Sequence, residues 1–344
     1  MNQPPPALNT MARVKLAKLP TPIDELGNLR RALGGPKILV KRDDLTGLAT
    51  GGNKTRKLEF LIADAQQHGA DLLITAGGPQ SNHCRQTAAA AAIAGLDCHL
   101  VLGGEPQPPI GNLLLDQLLG ATIHWCPRPQ RNARMQELAA ALEADGRRPY
   151  VIPIGGSNSI GAIGYVAAMF ELVEQLAEQG QLAEQGSQVD RIFVATSSGG
   201  TQAGMVLGAR LAGFTGRITA ISIDNEPDDR SDSKFLADVC RIAHGAAERL
   251  DVDVQLTVED FDTNYDYLGE GYGVVGDLER EAIRLLARTE GLLVGPVYTG
   301  RAFGAMLDLI RRRQIVDDET VLFWHTGDDS ALHAYASDLT GEAG

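Results

Sequence analysis

At 344 residues with 44% hydrophobic content, the chain is long enough for two cores and too apolar to stay disordered. A formal charge of -13 argues against a nucleic-acid partner, which needs clustered Lys and Arg, and favours a small-molecule ligand. Four scattered cysteines (Cys84, Cys98, Cys126, Cys240) without metal-ligand spacing point to reduced thiols in a cytoplasmic compartment and to no structural zinc. No apolar leader and no run of 18 apolar residues marks export or a membrane span.

Past a polar, proline-rich start, Leu19-Pro20-Thr21-Pro22 reads as an extended entry, because a residue before proline is pushed out of helical geometry. Ile38 to Lys41 is a short strand, and Arg42-Asp43-Asp44 leads into Gly51-Gly52-Asn53-Lys54. Behind that turn Leu58, Leu61, Ile62 and Ala65 recur at i, i+3, i+4 and i+7, which predicts a helix with one apolar face and Lys54 in its first turn. There the helix dipole and partial burial both disfavour the ammonium form, so the amine becomes a nucleophile able to trap an aldehyde. The same residues also fit an ordinary surface lysine beside a glycine turn.

Strands and helices then alternate. Strands are expected at Leu72 to Thr75, Cys98 to Leu102, Thr122 to Cys126, Tyr150 to Ile154, Arg191 to Thr196, Ile218 to Ile223, Val252 to Thr257 and Val321 to Trp324. Helices are expected from Ser81 to near Gly95, from Asn112 to Leu119, Ala133 to Ala144, Ala162 toward Gln179, Gln202 to Leu211, Ser233 to Leu250, Leu278 to Thr289 and Ala302 to Arg312. This is an α/β pattern of βαβ units with a mostly parallel sheet. Gln175 to Gly180 is repeated identically by Gln181 to Gly186, a polar duplication of the kind tolerated on a surface. The irregular stretch holding Tyr265, Tyr267 and Tyr272 is long and glycine-rich enough for a site loop.

In open parallel sheets ligands bind beyond the carboxyl ends of strands. Ser197-Ser198-Gly199-Gly200-Thr201 follows a strand and opens a helix, so its amides and hydroxyls can cradle one phosphate; it also fits a plain strand-to-helix turn. It lacks the lysine of a Walker loop. Thr201 stands where a dinucleotide fingerprint needs glycine, so Asp224 at the end of the next strand only imitates a ribose-binding acid. In Gly78 to His83, Ser81 is a natural N-cap, and the same helix start, with Ser81 and Asn82, can hold a carboxylate. His83 and Cys84 fit structural roles equally, and no catalytic triad or metal cluster can be assembled. An activated lysine, a single-phosphate cup and a carboxylate turn are together what pyridoxal phosphate and an amino-acid substrate require.

Arg42-Asp43-Asp44, Gly51-Gly52-Asn53-Lys54, Arg56 to Phe60, Gln80 to His83 with Arg85-Gln86, Ile154 to Ser157, Gly199-Gly200-Thr201 with Ala203-Gly204, Pro296 to Gly300 and His325-Thr326-Gly327 together resemble the D-cysteine desulfhydrase and 1-aminocyclopropane-1-carboxylate deaminase family. These are pyridoxal-phosphate enzymes of the tryptophan-synthase β-subunit fold. The resemblance runs from about Leu19 to the last strand and implies fold type II: two open, mostly parallel twisted sheets with helices on both faces. It implies a small domain over 57–165, a large one over 1–56 plus 166–344, and a homodimer. Lys54 would hold the cofactor aldehyde and act with Ser81 and Tyr298 in catalysis. Asn53, Asn82, Ser198, Gly199, Gly200, Thr201, Thr299 and Thr326 would bind the cofactor, with Asn82 at its ring hydroxyl. Ser81, Asn82, His83, Tyr267 and Tyr298 would meet the substrate.

Thr299 and Thr326 stand where the cyclopropane deaminases carry an acid and a leucine, which points to the desulfhydrase-like branch. A threonine hydroxyl cannot hold the pyridine nitrogen protonated as a carboxylate would, and a weak electron sink suits fast β-elimination. The expected products are a keto acid, ammonia and sulfide. Gly47 to Thr50 and Thr55 also look like the L-cysteate sulfo-lyases of the same family, which release sulfite. Two departures stand out: Gly295 replaces an aspartate, and Asp328-Asp329 replace a glycine and a small residue. Carboxylates there, if they face the cofactor, would repel a sulfonate. Ring opening, β-replacement and a cofactor-binding pseudoenzyme are the alternative readings.

Overall fold

The apolar runs sort into two parallel sheets, and the chain visits the larger one twice. The computed structural model describes residues 2–178, 180, 182–183, 186–187, 189–224 and 234–341. Here β1 (Ile23–Glu25) and β2 (Lys37–Arg42) open the large sheet as an antiparallel pair. Next, β3 (Leu72–Gly77), β4 (Asp97–Gly103), β5 (Thr122–Cys126) and β6 (Pro149–Val151) form an all-parallel sheet of order β5-β4-β3-β6. A two-residue ribbon of β7 (Leu182–Ala183) and β8 (Gly186–Ser187) follows. Then β9 (Arg191–Thr196), β10 (Arg217–Ser222), β11 (Thr263–Asn264) and β12 (Thr320–His325) return to the large sheet, whose order is β1-β2-β12-β9-β10-β11. All its pairings beyond β1 are parallel.

Helices cover both faces of each sheet, which is why the strands read as near-continuous apolar runs. Side chains alternate across a strand, so each strand feeds two cores. In β9, Ile192 and Val194 join a cluster with α7 (Ser159–Glu178), α8 (Gly200–Ala212) and α9 (Lys234–Arg249). Phe193 and Ala195 instead join α2 (Gly27–Leu33), α10 (Asp277–Glu290) and α11 (Thr299–Arg311). β12 divides the same way, with Leu322 and Trp324 on one side and Val321 and Phe323 on the other. In the small sheet Leu73 packs with α3 (Lys54–Gln67) and α4 (Asn82–Ala94), while Leu72, Ile74 and Ala76 pack with α6 (Arg131–Ala144). The short helices α1 (Pro6–Thr10), α5 (Asn112–Leu118) and α12 (Ala336–Thr340) complete the set.

Among the described residues α7 alone has the length and hydropathy of a membrane span, yet 67% of that window is buried inside the fold. It is the core helix of the large half. A Cβ on Gly204 of α8 would lie 2.2 Å from the carbonyl oxygen of Ala162, so glycine lets the two helices touch backbone to backbone.

The structure departs from the sequence expectation in places. Val252 to Thr257 is not a strand. Its alternating Val252, Val254 and Leu256 do pack on the large core, but the edge of β10 is occupied by β11, leaving them no ladder to join. α7 begins at Ser159, and Ala162, Ile163 and Tyr165 already belong to the large core, so position 165 falls inside this helix. The second copy of the duplication, 181–186, lies partly outside the described residues, as does Ser233 at the expected start of α9.

Candidate active site

Lys54 is placed from below by a buried ion network. The Arg56 guanidinium donates to both oxygens of Asp43 at 2.9 and 2.8 Å and to Glu171 at 2.9 and 2.8 Å. Tyr165 and Trp324 also donate to Asp43, at 2.6 and 2.8 Å, and Lys41 meets Glu171 at 2.6 Å. Burial alone would raise the Asp43 carboxyl, but the Arg56 charge more than reverses this and holds it at about 2. The network ties β2, α3, α7 and β12 together and thereby fixes the first turn of α3. Gly51, at φ 79°, would put a Cβ 1.8 Å from the Asp44 carbonyl oxygen, so only glycine closes the turn ahead of the lysine. Asn53 donates from its amide to Thr326 O at 2.9 Å and from its side chain to Thr201 Oγ1 at 3.1 Å.

Lys54 opens α3 as expected. It lines a cavity at the carboxyl ends of strands from both sheets, with Gly77, Gly78 and Ser81 to His83 at the end of β3, Thr196 to Gly199 and Thr201 at the end of β9, and Thr326 after β12 on its walls. Burial lowers its amine to about 8, against the pull of the Asp328 carboxylate, which favours the ammonium form. The nearby Lys57 is held well below the usual lysine range by burial and by Lys54. Its amine, however, is committed to Gly155 O at 3.1 Å and Ser157 Oγ at 3.3 Å. Of the two, Lys54 is the one that lines the cavity.

The loop expected to cradle a phosphate is one of two facing walls. Gly199 takes the left-handed conformation at φ 79°, and α8 begins at Gly200. Opposite, Ser157 Oγ meets Ser198 Oγ at 2.8 Å and accepts the Gly200 amide at 3.1 Å. A Cβ on Gly155 would lie 2.1 Å from Ser198 Oγ, so the second wall also needs a glycine. Nothing in the sequence of Gly155 to Ser157 by itself marks them as this second wall. Ser198, Gly199 and Thr201 line the cavity, whereas Gly200 does not, its amide being taken by Ser157. The buried Thr196 hydroxyl, also in the lining, has no protein partner among the described residues. A buried polar atom of this kind calls for a polar ligand.

At the other end, Ser81 caps α4, its Oγ accepting the Cys84 amide at 3.2 Å. The Thr75 hydroxyl gives its proton to Ile152 O at 2.8 Å, so it must accept from His83 Nε2 at 2.8 Å. His83 is therefore the Nε2–H tautomer. Burial and the two lysines keep it neutral, and its Nδ1 is an acceptor without a partner among the described residues. Asn82 Oδ1 accepts from Arg85 at 2.9 Å, and its Nδ2 donates to Asp328 at 3.0 Å.

Tyr298 lines the cavity and its hydroxyl meets that of Tyr272 at 2.6 Å. Tyr267 corrects the expectation: its hydroxyl donates to Asp308 at 2.7 Å, its side chain packs with the core under α2, α10 and α11, and it does not line the cavity. Tyr272 holds the place assigned to it. Thr299 is likewise turned away, donating to the carbonyls of Gly295 and Gly327 at 3.2 and 3.0 Å, so Thr326 is the cavity threonine. Gly295 packs against the backbone of Asp328, since a Cβ on it would lie 2.1 Å from the Asp328 carbonyl oxygen and 2.5 Å from its Cβ. Asp328 is fully buried, accepts from Asn82 and from the Tyr298 amide, and does not line the cavity. Burial raises its carboxyl to about 7. Arg128, Arg131 and Asp224, unassigned by sequence reasoning, form the remaining wall.

A lysine amine poised near neutrality, a one-phosphate cup and a capped helix start facing one cavity define a pyridoxal-phosphate enzyme of fold type II, and the donor set fits that cofactor. A family model described as pyridoxal-phosphate dependent enzyme matches residues 14–327, and the chain belongs to this family. A solved structure described as an ACC deaminase homologue is 37% identical, with a TM-score of 0.86 and 97% of each chain covered. Two more distant structures share the fold. One is a lysine-to-alanine mutant of O-ureido-L-serine synthase bound to O-ureido-L-serine, 17% identical, with a TM-score of 0.65 and coverage of 98% of this chain and 95% of that one. The other is a pyridoxal 5'-phosphate-dependent aspartate racemase, 16% identical, with a TM-score of 0.61 and 90% of each chain covered.

Proposed function

We propose that the protein catalyses β-elimination on a small cysteine-like amino acid, releasing a keto acid, ammonia and the β-substituent. The observation that carries this reading is the Lys54 amine, held at about 8 within a cavity that also contains the Ser81 to His83 turn. When bound, pyridoxal phosphate supplies an aldehyde for the substrate amine and a ring that accepts the electron pair left at the α-carbon. The Ser198 to Thr201 loop would hold the phosphate, and the start of α4 with Ser81 and Asn82 would orient the substrate carboxylate. Lys54, lowered to about 8, keeps a neutral fraction near neutral pH that would serve as the base for the α-proton. Thr326, the cavity threonine, offers a hydroxyl and not a carboxylate; beside the cofactor's pyridine nitrogen it would make the ring a weaker electron sink, which suits loss of a β-leaving group. The solved neighbour described as an ACC deaminase homologue makes ring opening the second reading. Incubation with both enantiomers of cysteine, with cysteate and with 1-aminocyclopropane-1-carboxylate, followed by keto-acid, sulfide and sulfite assays, separates the two. Keto acid without sulfide or sulfite, formed from the cyclopropane substrate alone, would replace the elimination reading.

A further inference from the structure

We propose that Asp328 is a positioning residue: from behind the cavity wall it fixes the Asn82 amide as a hydrogen-bond donor toward the cavity and serves as the counter-charge of the Lys54 amine. This deepens the reading of the same site and rests on the elimination reading for turnover alone, since both effects exist in the protein before any substrate is bound.

The backbone at Asp328 is strained. Its φ of 94° lies in the left-handed region, which a residue with a Cβ keeps only where the surrounding structure enforces it. The side chain is fully buried, and a buried carboxylate is unfavourable unless its oxygens are satisfied. Both are taken up by neutral donors that belong to cavity-lining residues. Oδ1 accepts from Asn82 Nδ2 at 3.0 Å, at the start of α4, and Oδ2 accepts from the Tyr298 amide at 3.2 Å, just before α11. The Asn82 amide is thereby held from two sides. Its Oδ1 accepts from Arg85 Nη1 at 2.9 Å and from Asn112 Nδ2 at 3.2 Å, which turns its nitrogen toward Asp328. An amide nitrogen carries two N–H groups. Asp328 takes one, and the second is the donor that Asn82 offers to the cavity it lines. Arg85 Nη1 is itself shared with Asn112 and Ser330, at 2.6 and 2.9 Å, so without the carboxylate Asn82 keeps only a divided partner.

The loop that carries Asp328 is also pressed against the turn that carries Lys54. The Asn53 amide donates to Thr326 O at 2.9 Å, and a Cβ on Gly327 would lie 2.8 Å from Gly52 Cα. At this range the Asp328 carboxylate favours the Lys54 ammonium, against the burial that disfavours it. Other charged and titratable groups face Asp328 as well. Burial raises its carboxyl and the charge of Asp329 adds to this, while the Tyr298 amide, Arg85 and Asn82 oppose the rise, leaving it at about 7. The hydroxyls of Tyr272, Tyr298 and Tyr335 are pushed further toward their neutral forms by the same carboxylate. Asp328 is therefore ionised where Lys54, at about 8, gives up its proton.

Two substitutions separate the two effects. Asp328→Asn removes the charge and keeps an oxygen for Asn82, whereas Asp328→Gly removes both and relieves the left-handed backbone. In cofactor-free protein, competitive acetylation of Lys54 over a series of pH values, read by mass spectrometry of the peptide spanning 51–60, should half-titrate at about 8 in wild type and roughly one pH unit lower in both variants. The side-chain amide signals of Asn82 in NMR spectra, identified by their loss in Asn82→Ser, should move with pH in wild type as the carboxylate beside them ionises at about 7, and hold still over that range in Asp328→Asn. Half-saturation by pyridoxal phosphate, or by cysteine in the loaded protein, should rise roughly 10-fold in Asp328→Gly and stay within about 3-fold in Asp328→Asn. An unmoved Lys54 half-titration point, Asn82 signals that ignore pH in wild type, or unchanged half-saturation by cofactor and amino acid alike in Asp328→Gly overturns the proposal. Wild type that releases no keto acid while these shifts appear sinks the elimination reading instead and leaves Asp328 in its role.

Discussion

Replacing Lys54 with methionine should stabilise the cofactor-free protein, and only below a defined pH. The amine ionises at about 8 in the folded chain against an ordinary 10.5. At 1.36 kcal/mol per pH unit this corresponds to about 3 kcal/mol of destabilisation when the ammonium is forced into the cavity wall. Because the side chain is only partly buried, solvent in the cavity reduces the figure, and we expect about 2–3 kcal/mol. The sign follows from proton counting. Between pH 8 and 10.5 the unfolded chain holds this proton and the folded chain does not, so wild-type stability rises with pH across that window. The advantage of Lys54→Met is therefore full below pH 8 and gone by about 10.5. Asp328, with its carboxyl raised to about 7, is ionised throughout the window and does not blur the comparison. Urea denaturation of both proteins at a series of pH values from 7 to 10.5 reads the difference directly. A stability gap that stays constant over that range would refute a perturbed amine at position 54.

Other consequences are simpler to state. Asp43→Asn should destabilise the fold by about 3–5 kcal/mol in urea melts, because it leaves the buried Arg56 without its main counter-charge; a loss under about 1 kcal/mol would mean the network is not structural. Gly155→Ala meets both a φ of +71° and Ser198 Oγ 2.1 Å from the new Cβ, so cofactor affinity should fall at least about 10-fold, measured by fluorescence titration of cofactor-free protein. Tyr267→Phe should leave kcat and KM nearly unchanged whereas Tyr272→Phe should not, since one hydroxyl serves Asp308 and the other Tyr298; steady-state kinetics on both variants would show the reverse if the loop were misplaced.

The parts legible in the sequence were those whose signal is local. A glycine pair before a lysine and an apolar helical stripe place Lys54, and Ser198-Gly199-Gly200-Thr201 gives away its strand-to-helix turn, because each motif contains its own geometry. The parts that stayed hidden depend on pairs distant in the chain. Asp224 reads only as a false ribose acid until Arg128, on the other sheet, is found beside it. Gly295 and Asp328 look unrelated in the sequence until the fold brings the backbone of one against the other. Tyr267 and Tyr272 share an irregular loop without periodicity, so nothing local says which one faces the cavity. Val252 to Thr257 has strand patterning, and only the occupied edge of β10 denies it a partner.

The central claim is that the cofactor is held through Lys54 and not through Lys57 three residues later, whose amine is already bonded to Gly155 and Ser157. Borohydride reduction of the cofactor-loaded protein, followed by fragment mass spectrometry of the peptide spanning 51–60, tests this most directly. The account predicts a pyridoxyl-phosphate mass addition on Lys54 with Lys57 unmodified, and an addition on Lys57 or on another lysine would contradict it.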